Sequence, residues 1–250
     1  MKLLIDLGNT RLKWALWDGA ELRRGGAVAH AGNVPLDFAT LWKGISGVDS
    51  VCVASVADDA VEDDLARHSR ELFALDPHFF VSIAAACGVR NAYAKPERLG
   101  VDRFLTLIAA HAHAQEPTVI ASCGTALTLD ALAADGRHLG GLIAPSPALM
   151  QTALRGNTAR LGESGAARIF ELADNTADAV ESGTRLAAVA LIERFVARAG
   201  ERFGATPALI LTGGGAQSLA QLIALPHRIE AELVLRGLAL FAGQSDSVSA

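Results

Sequence analysis

Two short stretches of this chain carry residue types suited to holding phosphate oxygens. The first reads Leu3-Leu4-Ile5-Asp6-Leu7-Gly8-Asn9-Thr10, followed by Leu12-Lys13-Trp14-Ala15-Leu16-Trp17 and the turn Asp18-Gly19. The second reads Val119-Ile120-Ala121-Ser122-Cys123-Gly124-Thr125-Ala126, followed by Leu127-Thr128-Leu129-Asp130-Ala131-Leu132 and the turn Asp135-Gly136. Each is an apolar strand, a tight turn of Gly with Asn or Thr, a second strand and an Asp-Gly turn. Such a tip presents backbone N–H groups and hydroxyls, which suit phosphate oxygens. Two tips on two halves of one chain fit a clamp on a polyphosphate.

Asp6 stands directly before the first turn. In a phosphate clamp its carboxylate would hold Mg²⁺, directly or through water, because Mg²⁺ prefers oxygen ligands. The plainer alternative is a turn aspartate bonding its own backbone. Gly8, Asn9 and Thr10 supply donors. Lys13 shares a strand face with Arg11, and either brings a point charge to the phosphates or lies on a solvated face. Gly124, Thr125 and Thr128 form the second tip, with Asp130 closing its strand; an ordinary polar hairpin reads the same way.

Asp102 precedes a strongly apolar helix. It is either the helix cap or a general base facing a substrate hydroxyl. Arg103 beside it could pair bidentately with a substrate carboxylate, or could be a salt-bridged or exposed helix residue. The turn Gly213-Gly214-Gly215 lies between a strand and a helix, where glycine lets a flat ring or a phosphate approach the backbone. It lacks the spacing of a dinucleotide fingerprint, and no Gly-x-x-x-x-Gly-Lys loop exists. His111 and His113 point to different sides of a helix, so the pair reads as structural.

Elements must position these groups. Strands are expected at Lys2–Leu7, Leu12–Trp17, Glu21–His30, Ser50–Val56 and Phe79–Ile83, with helices at Leu36–Lys43 and Val61–Phe73. Asn91–Gly100 contains Pro96 and reads as a loop; Asp102 opens a helix running to about Ala114. The meander then repeats at Thr118–Ser122, Leu127–Leu132 and His138–Ile143. A helix over Ala148–Leu154 follows, then a mobile loop at Gly156–Ala167 and a long helix over Thr176–Ala199. A buried strand at Ala208–Leu211, helices at Ala216–Ile223 and Ile229–Phe241, and a frayed tail complete the chain. The pattern is α/β, two similar lobes made by one duplication, with the boundary at 116/117: residues 1–116 and 117–250.

The chain has 250 residues, 51% apolar and 20% charged, which allows one large or two small domains with full cores. A net charge of −5 argues against a general nucleic-acid binder. Three scattered cysteines, Cys52, Cys87 and Cys123, make neither a disulfide framework nor a zinc motif, and point to a reduced, cytoplasmic compartment. Asp6 interrupts the first apolar run too early for a signal peptide, and no stretch is long enough to span a membrane.

The set Asp6-x-Gly-Asn-Thr, Gly100-x-Asp102-Arg103, Gly124-Thr125-Ala-x-Thr128-x-Asp130 and Gly140-Gly141-x-Ile143-x-Pro145 resembles type III pantothenate kinases, also called Bvg accessory factor-like proteins. The motifs stand in the family's order and span most of the chain. The resemblance implies the acetate kinase/sugar kinase/Hsp70/actin superfamily: duplicated ribonuclease-H-like (actin-like ATPase) lobes with mixed sheets flanked by helices. It implies ATP-dependent phosphorylation of pantothenate to 4'-phosphopantothenate, the first step of coenzyme A biosynthesis, by a homodimer. The segment Asp6, Leu7, Gly8, Asn9, Thr10, Arg11, Leu12 and Lys13 would bind ATP, with Asp6 organising Mg²⁺ and Thr125 the contact from the second hairpin. Asp102 would take the proton of pantothenate's primary hydroxyl. Tyr93, Gly100, Val101, Asp102, Arg103 and Thr176 would bind pantothenate.

The chain departs from the family pattern at two places. Many members carry Asp two residues before the second Gly-Thr, where it binds a monovalent cation such as K⁺ or NH₄⁺. Here Ser122 stands there, and a neutral hydroxyl holds K⁺ poorly. Many also follow Pro145 with Gly, where Ser146 stands here. Two other readings compete: a sugar or amino-sugar kinase of the same superfamily, and a non-catalytic nucleotide-binding regulator.

Overall fold

The run Leu3-Leu4-Ile5 is apolar on both faces, as a strand covered on both sides must be. It forms the centre of β1 (Lys2–Leu7), and Leu3, Leu4, Ile5 and Leu7 are fully buried. β2 (Arg11–Trp17) pairs antiparallel with it, and β3 (Leu22–Ala29) pairs with β2. On the other side β4 (Ser50–Ser55) and β5 (His78–Phe80) add in parallel, giving the order β3-β2-β1-β4-β5. The computed structural model describes residues 1–30, 36–157 and 167–248.

The two faces of this sheet have different covers. Leu3, Ile5, Leu7, Val51 and Val53 pack with Phe38 and Trp42 at the short helix α1 (Phe38–Leu41) and Leu65 of α2 (Asp59–Phe73). α2 starts where Asp58 accepts the Val61 N–H at 3.2 Å and stops at Ala74 in the left-handed conformation. A two-stranded hairpin, β6 (Ala85–Ala86) and β7 (Val89–Arg90), precedes the loop 91–100, which contains a single 3₁₀ turn at Pro96–Arg98. That hairpin has no Asn-Gly or Asp-Gly signal. Its Cys87-Gly88 turn takes φ of +49° and +81°.

α3 (Val101–His113) is apolar almost all round, so it must be covered on every side. It packs against β4 and against the C-terminal helix α7 (Leu233–Val248). Phe241 meets both Phe80 of β5 and Phe104 of α3, with ring centroids 5.1 and 5.9 Å apart. Gly237 lets α7 lie directly on α3: a Cβ there would collide with the Leu105 carbonyl.

The second sheet repeats the first. β8 (Thr118–Cys123) pairs antiparallel with β9 (Ala126–Leu132), and β9 with β10 (His138–Pro145). β11 (Ala208–Thr212) and β12 (Arg228–Ile229) add in parallel, giving the order β10-β9-β8-β11-β12. α4 (Pro147–Asn157), α5 (Thr176–Phe203) and α6 (Ala216–Ala220) complete this part. Val119, Ala121, Leu127, Leu129, Leu209 and Leu211 form its core with Ala188, Ile192 and Val196 of α5. α5 begins at Asn175, whose side chain accepts the Asp178 N–H, and ends at Gly204 with φ of +66°.

The described residues form two units by contact: Met1–Ala114 with Asp135–Arg137 and Glu232–Ala250, and Gln115–Ala134 with His138–Ala231. A simple division at 116 places the last helix with the second lobe, whereas its contacts lie in the first unit. Several elements differ from the sequence reading, among them the unexpected β6–β7 hairpin and β5, which spans His78–Phe80 rather than Phe79–Ile83. Arg228–Ile229 is a strand, because it pairs with Ile210 and Leu211, so the last helix starts only at Leu233. That helix continues to Val248 rather than fraying after Phe241. α3 begins one residue early, with Gly100 as its cap, so Asp102 lies inside its first turn. The loop expected at Gly156–Ala167 lies, over 158–166, outside the described residues.

Candidate active site

β1 and β2 are joined by Gly8-Asn9-Thr10, closed by the Gly8 N–H donating to the Arg11 carbonyl at 3.0 Å. Asn9, Thr10 and Arg11 are exposed, as a phosphate-facing tip requires. His30 fixes the turn from the end of β3: its N–H donates to the Thr10 carbonyl at 2.9 Å, and its Nε2 lies 2.7 Å from the Gly8 carbonyl. Leu7 and Leu12 are fully buried, so they anchor the tip.

Asp6 pairs in register with Lys13 across the hairpin. Strand alternation puts both on the face opposite Leu3, Ile5 and Leu7, away from α1 and α2. Burial pushes the Asp6 carboxyl up to about 7; Lys13 opposes this and the charge of Asp102 adds to it. A carboxyl held this high is costly to ionise unless a cation joins it. That is the property of a metal-binding acid. Among the described residues no three His, Cys, Asp or Glu cluster as a cage. One carboxylate fits Mg²⁺ better than a cage would, since Mg²⁺ takes its other ligands from phosphates and water.

Asp102 lies in the first turn of α3, where its Oδ1 accepts the Arg103 N–H at 2.8 Å. The carboxylate folds back over Gly100, where a Cβ would come within 2.6 Å of that oxygen. The neighbouring Val101 is buried. Arg103 is not an exposed helix residue: it is 4% exposed, and its Nη1 donates to the Tyr93 hydroxyl at 3.1 Å. Its guanidinium carbon stands 5.8 Å from the centre of the Tyr93 ring. The structure therefore brings Asp6, Lys13 and Asp102 together, with Arg103 and Tyr93 joined beside Asp102.

In the second hairpin the Gly124 N–H donates to the Ala126 carbonyl at 2.9 Å, and Gly124 and Thr125 are exposed. The Gly213-Gly214-Gly215 turn packs on its base. The Gly215 N–H donates to the Cys123 carbonyl at 2.8 Å, and a Cβ on Gly213 would meet that oxygen at 2.6 Å. Cys123 itself is no nucleophile, because burial pushes its thiol up to about 12. Ser122 pairs with Thr128 on one side and Thr212 on the other, a row of three hydroxyls across the sheet. Asp130 meets His138 at 2.8 Å, and both are buried.

Thr176 is the first residue of α5 and is exposed. It borders a groove of about 980 Å³ between α4 and α5, lined by Leu149, Met150, Ala153, Leu154, Ala179 and Val180.

A sequence profile described as type III pantothenate kinase matches residues 2–198. The chain belongs to the type III pantothenate kinase family. A protein named type III pantothenate kinase in Xanthomonas campestris pv. campestris strain 8004 is 44% identical, over 97% of each chain. Among solved structures, a conserved Baf family protein from Campylobacter jejuni has a TM-score of 0.64 at 18% identity, covering 98% of this chain and 99% of that one. A Sinorhizobium meliloti protein described as a 2-dehydro-3-deoxygalactonokinase has a TM-score of 0.52 at 14% identity, over 99% of each. At these identities both show the fold alone, that of the actin-like ATPases and sugar kinases.

Within this pantothenate kinase-family chain, sequence reasoning missed His30, His138 and Asn91. The first two act across strands, which no spacing along the chain reveals. Asn91 had a signal: an Asn two residues before Tyr93, in a loop without regular structure, suits an Asx turn.

Proposed function

We propose that the chain transfers the γ-phosphoryl group of ATP to the primary hydroxyl of pantothenate, forming 4'-phosphopantothenate at the first step of coenzyme A biosynthesis. The observation that carries this reading is the meeting of the Asp6 carboxyl with Asp102 at the first turn of α3. Phosphoryl transfer needs alignment and charge neutralisation more than covalent help. Asp6 would hold Mg²⁺, directly or through water, and the charge it supplies there would neutralise the phosphates. Asn9, Thr10 and Arg11 donate to phosphate oxygens from the turn that Gly8 closes, Lys13 adds a positive charge, and Thr125 supplies the second hairpin's contact to ATP.

Asp102 accepts the proton of the acceptor hydroxyl, whose oxygen bonds to the γ-phosphorus as the bond to the ADP oxygen breaks. Arg103 pairs with the pantothenate carboxylate. It is buried and already oriented by Tyr93, so little freedom is lost on binding. Gly100, Val101 and Thr176 complete the acceptor's contacts.

The chain acts as a homodimer in the cytoplasm. The α4–α5 groove, with Leu149 and Leu154 at 43% and 40% exposure, is an apolar surface suited to a second copy. The Ser122, Thr128 and Thr212 hydroxyls carry no charge and hold K⁺ or NH₄⁺ less strongly than a carboxylate would, so the dependence on a monovalent cation is weaker than with Asp at position 122.

The test is a coupled ATP-turnover assay across pantothenate, sugars and amino sugars, with and without K⁺. Turnover only with pantothenate, changed little by K⁺, supports the reading. Turnover with a sugar but not pantothenate overturns it.

A further inference from the structure

The loop that carries Tyr93 has almost no regular structure of its own, yet it must present the phenol to a buried guanidinium. One side chain ties it down. The Asn91 Oδ1 accepts the Tyr93 N–H at 3.0 Å, and its Nδ2 donates to the Pro96 carbonyl at 3.1 Å and to the Ile83 carbonyl at 3.4 Å. Its own N–H donates to the Ala84 carbonyl at 2.9 Å. Asn91 thus joins three pieces of backbone: the segment 83–84 just before β6, the residue two ahead, and the 3₁₀ turn at Pro96–Arg98.

We infer that Asn91 is a positioning residue for the acceptor side of this site, setting Tyr93 and, through its hydroxyl, Arg103. The inference rests on the assignment of Tyr93 and Arg103 to pantothenate. Its chemistry is specific to Asn. The position needs one acceptor and two donors on a short stem; Asp supplies only acceptors, and Ala neither. Unpinned, the segment regains backbone freedom that must be lost again when pantothenate binds. The penalty falls on acceptor affinity and leaves the ATP hairpins untouched.

The test uses the full chain with two readouts. In steady-state kinetics, Asn91→Ala raises the pantothenate KM about ten- to thirty-fold, the loss of one or two such bonds, while kcat falls less and the ATP KM holds. Combined with Tyr93→Phe, the effect is no larger than that of the worse single variant. The second readout needs no turnover. Tyr93 is the only tyrosine, so ζ-¹³C-tyrosine labelling gives one NMR resonance, and Asn91→Ala moves or broadens it as Arg103→Lys does. An unmoved resonance overturns the inference, as does a pantothenate KM within twofold of the parent's. Effects that multiply in the double variant overturn it too. A parent protein that ignores pantothenate sinks the functional reading instead, and the resonance still decides the Asn91–Tyr93 link.

Discussion

Asp6 at the end of β1 and Asp102 at the start of α3 lie close enough for the charge on Asp102 to help keep the proton on Asp6. Two carboxyls brought together on the buried side of a sheet disfavour double ionisation. A cation at Asp6 would remove that conflict.

The first prediction concerns pH. The folded-state pKa of Asp6 is about 7, raised from 3.8 by burial. Its stabilising effect is therefore complete below about pH 4 and is lost as pH rises through 7. Asp6→Asn removes that dependence. Relative to the parent, the metal-free variant gains about 1–3 kcal/mol at pH 8 and nothing near pH 4, read by denaturant unfolding. Binding of Mg-nucleotide needs the ionised form, so the parent's affinity falls about tenfold per unit below pH 7. In Asp6→Asn binding is weak and flat with pH.

The second concerns the acceptor's carboxylate. Arg103 is held by Tyr93 in a fixed plane, and lysine cannot reproduce that fork. Arg103→Lys raises the pantothenate KM about ten- to a hundred-fold with the ATP KM unchanged. Tyr93→Phe, which removes one hydrogen bond, produces a smaller rise. Equal changes in both KM values would contradict the assignment.

The third concerns the last helix. Gly237 meets the Leu105 carbonyl where α7 crosses α3, and no side chain fits there. Gly237→Ala costs about 1–3 kcal/mol, although alanine is the better helix former. Thermal unfolding should show a loss of roughly 2–4 °C per kcal/mol. A melting temperature at or above the parent's would mean that the helices are further apart.

Much of this was legible in the chain because the site sits where strong local signals coincide. The run Leu3-Leu4-Ile5 before Asp6 and Gly8, and its echo at Val119-Ile120-Ala121 before Gly124, mark two buried central strands ending in tight turns. The order in which those strands are flanked is a tertiary matter. Arg228–Ile229 is too short to read as a strand and becomes one only beside Ile210. The return of Leu233–Val248 to the first unit depends on one glycine, which along the chain looks like a weak point in a helix. Asp130 was readable as a polar residue near the second tip, yet its partner, His138, lies across the next strand. Arg103 looked ambiguous because burial of a charge depends on a partner, and the spacing between Tyr93 and Arg103 spans a loop.

The central claim is that Asp102 accepts the proton in a transfer from ATP to pantothenate. The most direct test measures pantothenate-dependent ATP turnover and nucleotide affinity for Asp102→Asn beside the parent. The account predicts that turnover falls at least about a hundredfold while nucleotide affinity stays within a few-fold. Turnover near the parent's rate would contradict it.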